Sequence, residues 1–219
     1  MLVEQEVNNV IYVTSRVTEQ KVRIRRSAAD RRAEIVAAAI RIALSEGLDQ
    51  VTLRRVADDL GVTGSLVSHY FPAVDDLLAE AFSGAAEAEL EETFAALAPE
   101  PVAALRGYLA ALVDQARDGM NTLWVDAWHA SRRRPALNEA VRRLTAAWNG
   151  RLAGLLARGA ADGDFDCPDP RVSAARIMAV VDGLTVHTVM RETLDYSSVE
   201  ELVFLVTESE LGLARGTLG

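Results

Sequence analysis

Residues 52–71, TLRRVADDLGVTGSLVSHYF, read as two short helices joined by a tight turn. Thr52 opens the first helix, because a threonine hydroxyl accepts from the backbone N–H groups that a first turn leaves unpaired. Leu53, Val56, Ala57 and Leu60 then fall on one apolar stripe. Gly61 ends the helix, since the residue just past a helix end often takes positive φ, which glycine adopts without steric cost. Thr63 opens the second helix, where Leu66, Val67, Tyr70 and Phe71 supply the next apolar set. Ala57 is small enough to let the second helix cross closely over the first, turning Gly64, Ser65, Ser68 and His69 outward. Short polar side chains on an exposed helix suit close approach to base edges and phosphates, so the pair predicts a helix-turn-helix that reads double-stranded DNA. The expected DNA face comprises Thr52, Arg54, Arg55, Thr63, Gly64, Ser65, Ser68, His69 and Tyr70. Arg54 is the expected base reader, because its forked guanidinium matches a guanine edge.

A net charge of −9 argues against a nucleic-acid partner until its distribution is examined. From Arg16 to Arg55 there are ten basic residues against five acids, whereas beyond Phe71 there are 13 against 23. The basic surplus therefore surrounds the proposed reader, and the acidity belongs to the remainder of the chain.

The pattern T-x-x-x-V-A-x-x-x-G-V-T-x-S-x-V-S-H-Y-F resembles the helix-turn-helix of the TetR family of bacterial ligand-responsive transcription regulators. The likeness extends upstream through Ile35, Ala39, Ile42, Ala43, Glu46 and Gly47, similar to that family's first helix, and downstream into FPAVDDLLAEAF, similar to the start of its fourth. The SHYF ending is most similar to the BetI-like, choline-sensing branch. Beyond residue 82 the resemblance rests on helix order and on a W-x-x-x-W followed by R-x-P-x-L. It implies a homodimer, a palindromic operator and a small-molecule effector. One position departs: where the family carries a phosphate-contacting lysine, three residues after the phenylalanine, this chain has Val74, followed by Asp75 and Asp76. The two acids either cap the fourth helix or discourage a phosphate from docking at its positive end.

Outside the first 26 residues the chain is alanine-, leucine- and arginine-rich and lacks alternating β-branched runs, which predicts an all-α fold of about nine helices. Residues 1–26 end in KVRIRR and read as a basic arm, either reaching DNA or forming an ordinary tail. Residues 27–73 form the expected three-helix head, its first helix running from a capping start at Ser27 to Gly47. Residues 74–219 form the expected effector-binding and dimerisation domain. Its helices are expected over Val74–Leu97, Val102–Asp118 with a stop at Gly119, Asn121–Arg133, Ala136–Ala161, Pro170–Leu194 and Ser197–Leu213.

Pro170–Leu194 has almost no polar face, and a helix apolar all round must be covered on every side. With the final helix it suggests a two-fold interface, for which Val181, Leu184, Val199, Leu202 and Val206 are the expected residues. Gly183 would allow close helix approach there. Trp124 and Trp128 share a helix face, and Tyr108 and Trp148 lie on the helices expected to flank it. These four rings either line an effector cavity or form ordinary core. Aromatic faces near an acid would suit a cationic ligand, but Asp126 points away from the tryptophan pair by helical geometry.

His129 and His187 stand in no metal-ligand spacing, and no nucleophile elbow or phosphate-cradling loop is present, so no metal, cofactor or catalysis is expected. The single cysteine, Cys167, and apolar runs broken by charge fit a soluble cytoplasmic protein without a membrane partner. The sequence thus reads as a ligand-responsive DNA-binding regulator, a repressor released by its effector. The alternatives are a small-molecule-binding dimer with weakened DNA affinity and a helical enzyme.

Overall fold

Ser27 caps the first helix, α1 (Ala28–Glu46), with a reciprocal pair: its hydroxyl accepts from the Asp30 N–H at 3.0 Å, and the Asp30 carboxylate accepts from the Ser27 N–H at 3.1 Å. The computed structural model describes residues 27–188 and 196–219, for 196–199 the backbone alone. The expected basic arm, residues 1–26, lies outside the described residues, as do the end of the expected Pro170–Leu194 helix and the side chain of Val199. Among the described residues nine α-helices carry the fold and no strand occurs. After α1 come α2 (Leu53–Leu60), α3 (Gly64–Tyr70), α4 (Val74–Ala95), α5 (Pro101–Val113), α6 (Asp118–Ser131), α7 (Pro135–Asp162), α8 (Pro170–Thr188) and α9 (Tyr196–Glu210). None of them is long and apolar enough to cross a membrane.

The head closes over a small core. Ile35, Ala38, Ala39, Ile42 and Ala43 form the buried stripe of α1 and meet Val56, Ala57, Val67 and Phe71 from the next two helices. Arg32 ties its edges together: its guanidinium lies 4.1 Å from the Phe71 ring centre, donates to the Tyr70 carbonyl at 2.8 Å and pairs with Glu80 of α4. The helix α4 buries Leu77, Leu78, Ala81, Phe82, Ala85, Ala86 and Leu90, and packs on α1 at one end and along α7 beyond it. Ion pairs Glu87–Arg143 (2.6 Å) and Glu91–Arg151 (2.9 Å) run along the α4–α7 edge. In the body α7 packs on α8 and α8 on α9.

One expected helix is shorter than its sequence suggests. α5 ends at Val113, not Asp118, because Asp114 turns to extended backbone and its carboxylate accepts from the Ala116 N–H at 2.8 Å, starting a 3₁₀ turn over Gln115–Arg117. Gly119 is therefore not a stop: it lies in the first turn of α6, where an added Cβ would come within 3.2 Å of the Leu44 carbonyl oxygen of α1. A side chain there would require the Leu44 carbonyl to give by a few tenths of an ångström.

Candidate functional site

The turn between α2 and α3 is built as its residues dictate. The Thr52 hydroxyl accepts from the Arg55 N–H at 3.0 Å, and Gly61 takes φ 63°, ψ 35°, the left-handed region. The Gly61 N–H reaches the Asp58 carbonyl and the Val62 N–H the Ala57 carbonyl at 3.0 Å. Thr63 caps α3 and lies 3.0 Å from the Ser65 hydroxyl. Only Val67 of α3 is buried, leaving Gly64, Ser65, Ser68 and His69 exposed on one outward surface. Ser68 donates to the Gly64 carbonyl, and the Tyr70 ring, half-buried, meets His69 edge-on.

The two arginines of α2 differ. Arg54 projects with 93% of its side chain exposed, and its contact with Asp58 is a loose 3.9 Å. Arg55 is held back against α1 by Glu46, through Nε at 3.1 Å and Nη2 at 2.5 Å, and this hydrogen bond pushes its pKa further up. At the start of α4 the half-buried Val74 packs on the core, and Ala73 provides no side-chain cap. Asp75 does not cap the helix either. It pairs with Arg134 from the α6–α7 connection.

In the body, Trp124, Trp128, Trp148, Met178, Val181, Asp182 and Thr185 surround a cavity of about 30 Å³, together with Leu112, Arg117 and Thr145. The Trp124 and Trp128 ring centres lie 5.8 Å apart, and Trp124 stands edge-on to Phe82 at 4.9 Å. The Trp148 indole N–H is buried without a hydrogen-bond partner among the described residues. Tyr108 sits behind this wall: fully buried, it donates to the Met178 sulfur at 3.0 Å, and burial pushes its phenol up so that it stays neutral. Glu89 of α4 accepts from Arg117 at 2.6 Å and from the Trp124 indole at 3.3 Å. Asp182 is raised to about 6 by burial. Sequence reasoning did not select Asp182, Glu89 or Arg117. Asp182 alone left a signal, being the one acid within α8.

Asp126 is absent from this cavity. Its Oδ2 accepts from the Leu48 N–H at 3.0 Å, at the end of the head's first helix. The expected interface residues also divide. Val181 and Leu184 are buried inside the protomer at 3% and 4% exposure, and Val181 lines the cavity, so they do not form an outward face. Among the described residues of these two helices the outward large apolar side chains are Val172 and Val186 of α8 and Leu202 of α9, with Val206 half-buried. A Cβ at Gly183 would meet nothing within 4 Å, which places that glycine on the same open side.

Residues 35–81 match the family of bacterial regulatory proteins, tetR family, and residues 99–211 match the BetI-type transcriptional repressor C-terminal domain. The chain belongs to the TetR family. Its head is thus a regulator's helix-turn-helix, and its family and fold are those of transcriptional regulators, not enzymes. Solved structures with this TetR fold include a transcription regulator from Haloarcula marismortui, 20% identical over 84% of this chain and 99% of that one, with a TM-score of 0.73. A putative regulator from Saccharomonospora viridis in complex with choline is also 20% identical, over 84% and 98% of the two chains, with a TM-score of 0.67. A regulator from Rhodococcus sp. gives 20% identity, 84% and 99% coverage and a TM-score of 0.68. No curated protein matches the chain in sequence.

Proposed function

We propose that this TetR-family protein is a repressor that binds a two-half-site operator as a homodimer and is released from it by a small organic ammonium cation. The single observation that carries the effector class is the cavity wall: three tryptophans with a half-buried carboxylate, Asp182. Aromatic faces attract a cation through their quadrupoles, and the attraction grows where water is excluded. Among the described residues of the wall Arg117 is the one cation, and it is already paired with Glu89, which leaves the Asp182 carboxylate to face the cavity. A bound ammonium would pair with it. The choline held by the Saccharomonospora viridis relative supports the same class.

The DNA face proposed is Thr52, Arg54, Thr63, Gly64, Ser65, Ser68, His69 and Tyr70, with Arg55 bracing α2 on α1 through Glu46. Two such faces need a two-fold partner, and the open side of α8 and α9 offers Val172, Gly183, Val186 and Leu202 for it.

The test selects genomic fragments with the purified protein and titrates the bound fragment with choline and with 3,3-dimethylbutanol, its uncharged isostere. Choline is expected to release the DNA and the isostere to leave it bound. Equal release by both would overturn the cationic assignment. The second reading, an effector-binding dimer with weak DNA affinity, draws on Val74 and the acidic Asp75 at the start of α4. A protein that protects no fragment in a footprint would establish it instead.

A further inference from the structure

The arginines of the head are engaged within the protein. Residues 27–73 hold five of them, Arg31, Arg32, Arg41, Arg54 and Arg55, and no lysine, against six acids, Asp30, Glu34, Glu46, Asp49, Asp58 and Asp59. Arg31 pairs with Glu34 and Arg41 with Asp59, both at 2.7 Å, while Arg32 pairs with Glu80 of α4 and Arg55 with Glu46. Among the described residues of the head Arg54 is the one arginine without a close carboxylate, its contact with Asp58 being 3.9 Å. The helix α3 carries no lysine or arginine, and at the start of α4 Val74 packs on the core.

Such a head is short of positive charge for its task. A duplex carries one negative charge for about every 1.7 Å of axis, and a protein holds it by neutralising several phosphates with lysine and arginine. The missing cations stand immediately upstream. Residues 21–26, KVRIRR, hold Lys21, Arg23, Arg25 and Arg26 and no acid. They join the head beside the end of α3. Ser27 caps α1 five residues before Arg32, about 7.5 Å of helix, and the Arg32 guanidinium donates to the carbonyl of Tyr70, the last residue of α3, at 2.8 Å. Six residues can span up to about 20 Å, more than the roughly 12 Å width of a major groove.

We infer that residues 21–26 belong to the DNA interface, where Lys21, Arg23, Arg25 and Arg26 bind phosphates flanking each half-site and supply most of the affinity that is independent of sequence. This rests on the operator-binding reading proposed above. Phosphate contacts carry no base information, so these four cations set the strength of binding and its response to salt, while Arg54 and the outward face of α3 set the sequence.

Two measurements on the full-length protein test this. The first titrates affinity for the selected operator fragment and for a scrambled fragment against salt. It compares the unmodified protein with Arg23→Gln/Arg25→Gln/Arg26→Gln and with Arg142→Gln/Arg158→Gln/Arg215→Gln, which removes the same charge from the body. At an unchanged melting temperature, the first variant is expected to bind both DNAs at least about tenfold more weakly and to flatten the slope of log affinity against log salt by about two units or more. The body variant is expected to match the unmodified protein. Equal losses in the two variants would make the effect one of net charge, a loss confined to the operator would make the segment a base reader, and unaltered affinity and slope would leave it off the DNA; each overturns the inference. The second measurement uses Lys21, the only lysine of the chain. Its acetylation, read by mass spectrometry, is expected to fall about fivefold or more when operator DNA saturates the protein, because a phosphate-bound amine is withheld from the reagent. Undiminished acetylation overturns the inference. An unmodified protein that binds neither fragment fails the operator reading itself, whereas one that binds and is indifferent to the loss of Arg23, Arg25 and Arg26 fails this inference alone.

Discussion

Asp182 is a costly residue to keep. Its carboxyl is raised from 3.8 to about 6 by burial, so the folded protein binds its proton more tightly than the unfolded chain does. The sign follows: the penalty is absent below pH 3.8, grows as pH rises through the window up to about 6, and stays constant above it. Asp182→Asn is therefore expected to raise stability at pH 7 by on the order of 1–3 kcal/mol, with the advantage closing as pH falls toward 4. Thermal denaturation of both proteins across that range checks it. The same change removes the cation's partner, so choline response falls while stability rises. In the unmodified protein choline affinity should itself drop as pH is lowered through about 6. Among the described residues the other charges near this group, Arg117 and Glu89, hold each other, and Tyr108 stays neutral. Arg54, by contrast, is exposed and loosely held. Arg54→Ala should cost about 1–3 kcal/mol in operator binding and relax preference at one base pair per half-site, as a competition assay with single-base variants would read.

At the scale of elements, the start of α4 sets the phosphate contact. Val74→Lys should tighten binding to operator and scrambled DNA alike, and steepen the slope of log affinity against log salt by about one unit. A salt titration with both DNAs measures this, and a changed sequence preference would mean that the side chain reaches bases. How far the elements could be read from sequence depended on how local their causes are. Thr52, Gly61 and Thr63 act on residues within a few positions, so the helix-turn-helix was legible to the residue. Gly119 was misread because a glycine that ends a helix and one that lets two helices touch look alike until the second helix is in place. The tryptophan pair was legible from its spacing. Glu89, Arg117 and Asp182 were not, since α4, the turn before α6, and α8 bring them together from distant positions.

For the whole molecule, the open side of α8 and α9 is the question. An α-helix with no polar face cannot announce which of its apolar residues point inward, and so Val181 and Leu184 were assigned outward although both fill the protomer core. Charges on the two kinds of position should now part company. Val186→Asp or Leu202→Asp is expected to shift the proposed dimer toward monomer in sedimentation with the melting of the protomer little changed. Val181→Asp is expected to unfold the body instead, because an unpaired charge in a buried site is strongly destabilising. A dimer unaffected by both outward charges would move the interface elsewhere. The tightness of the tryptophan cavity has a further consequence, for time and not for affinity. If the proposed guest enters only after a wall has moved, its capture is gated by that movement. In rapid mixing followed by tryptophan fluorescence, the observed rate should level off as choline is raised, and the plateau would be the opening rate of the protein itself. Under the proposed reading, a cell that floods with effector would then relieve repression no faster than this internal clock allows.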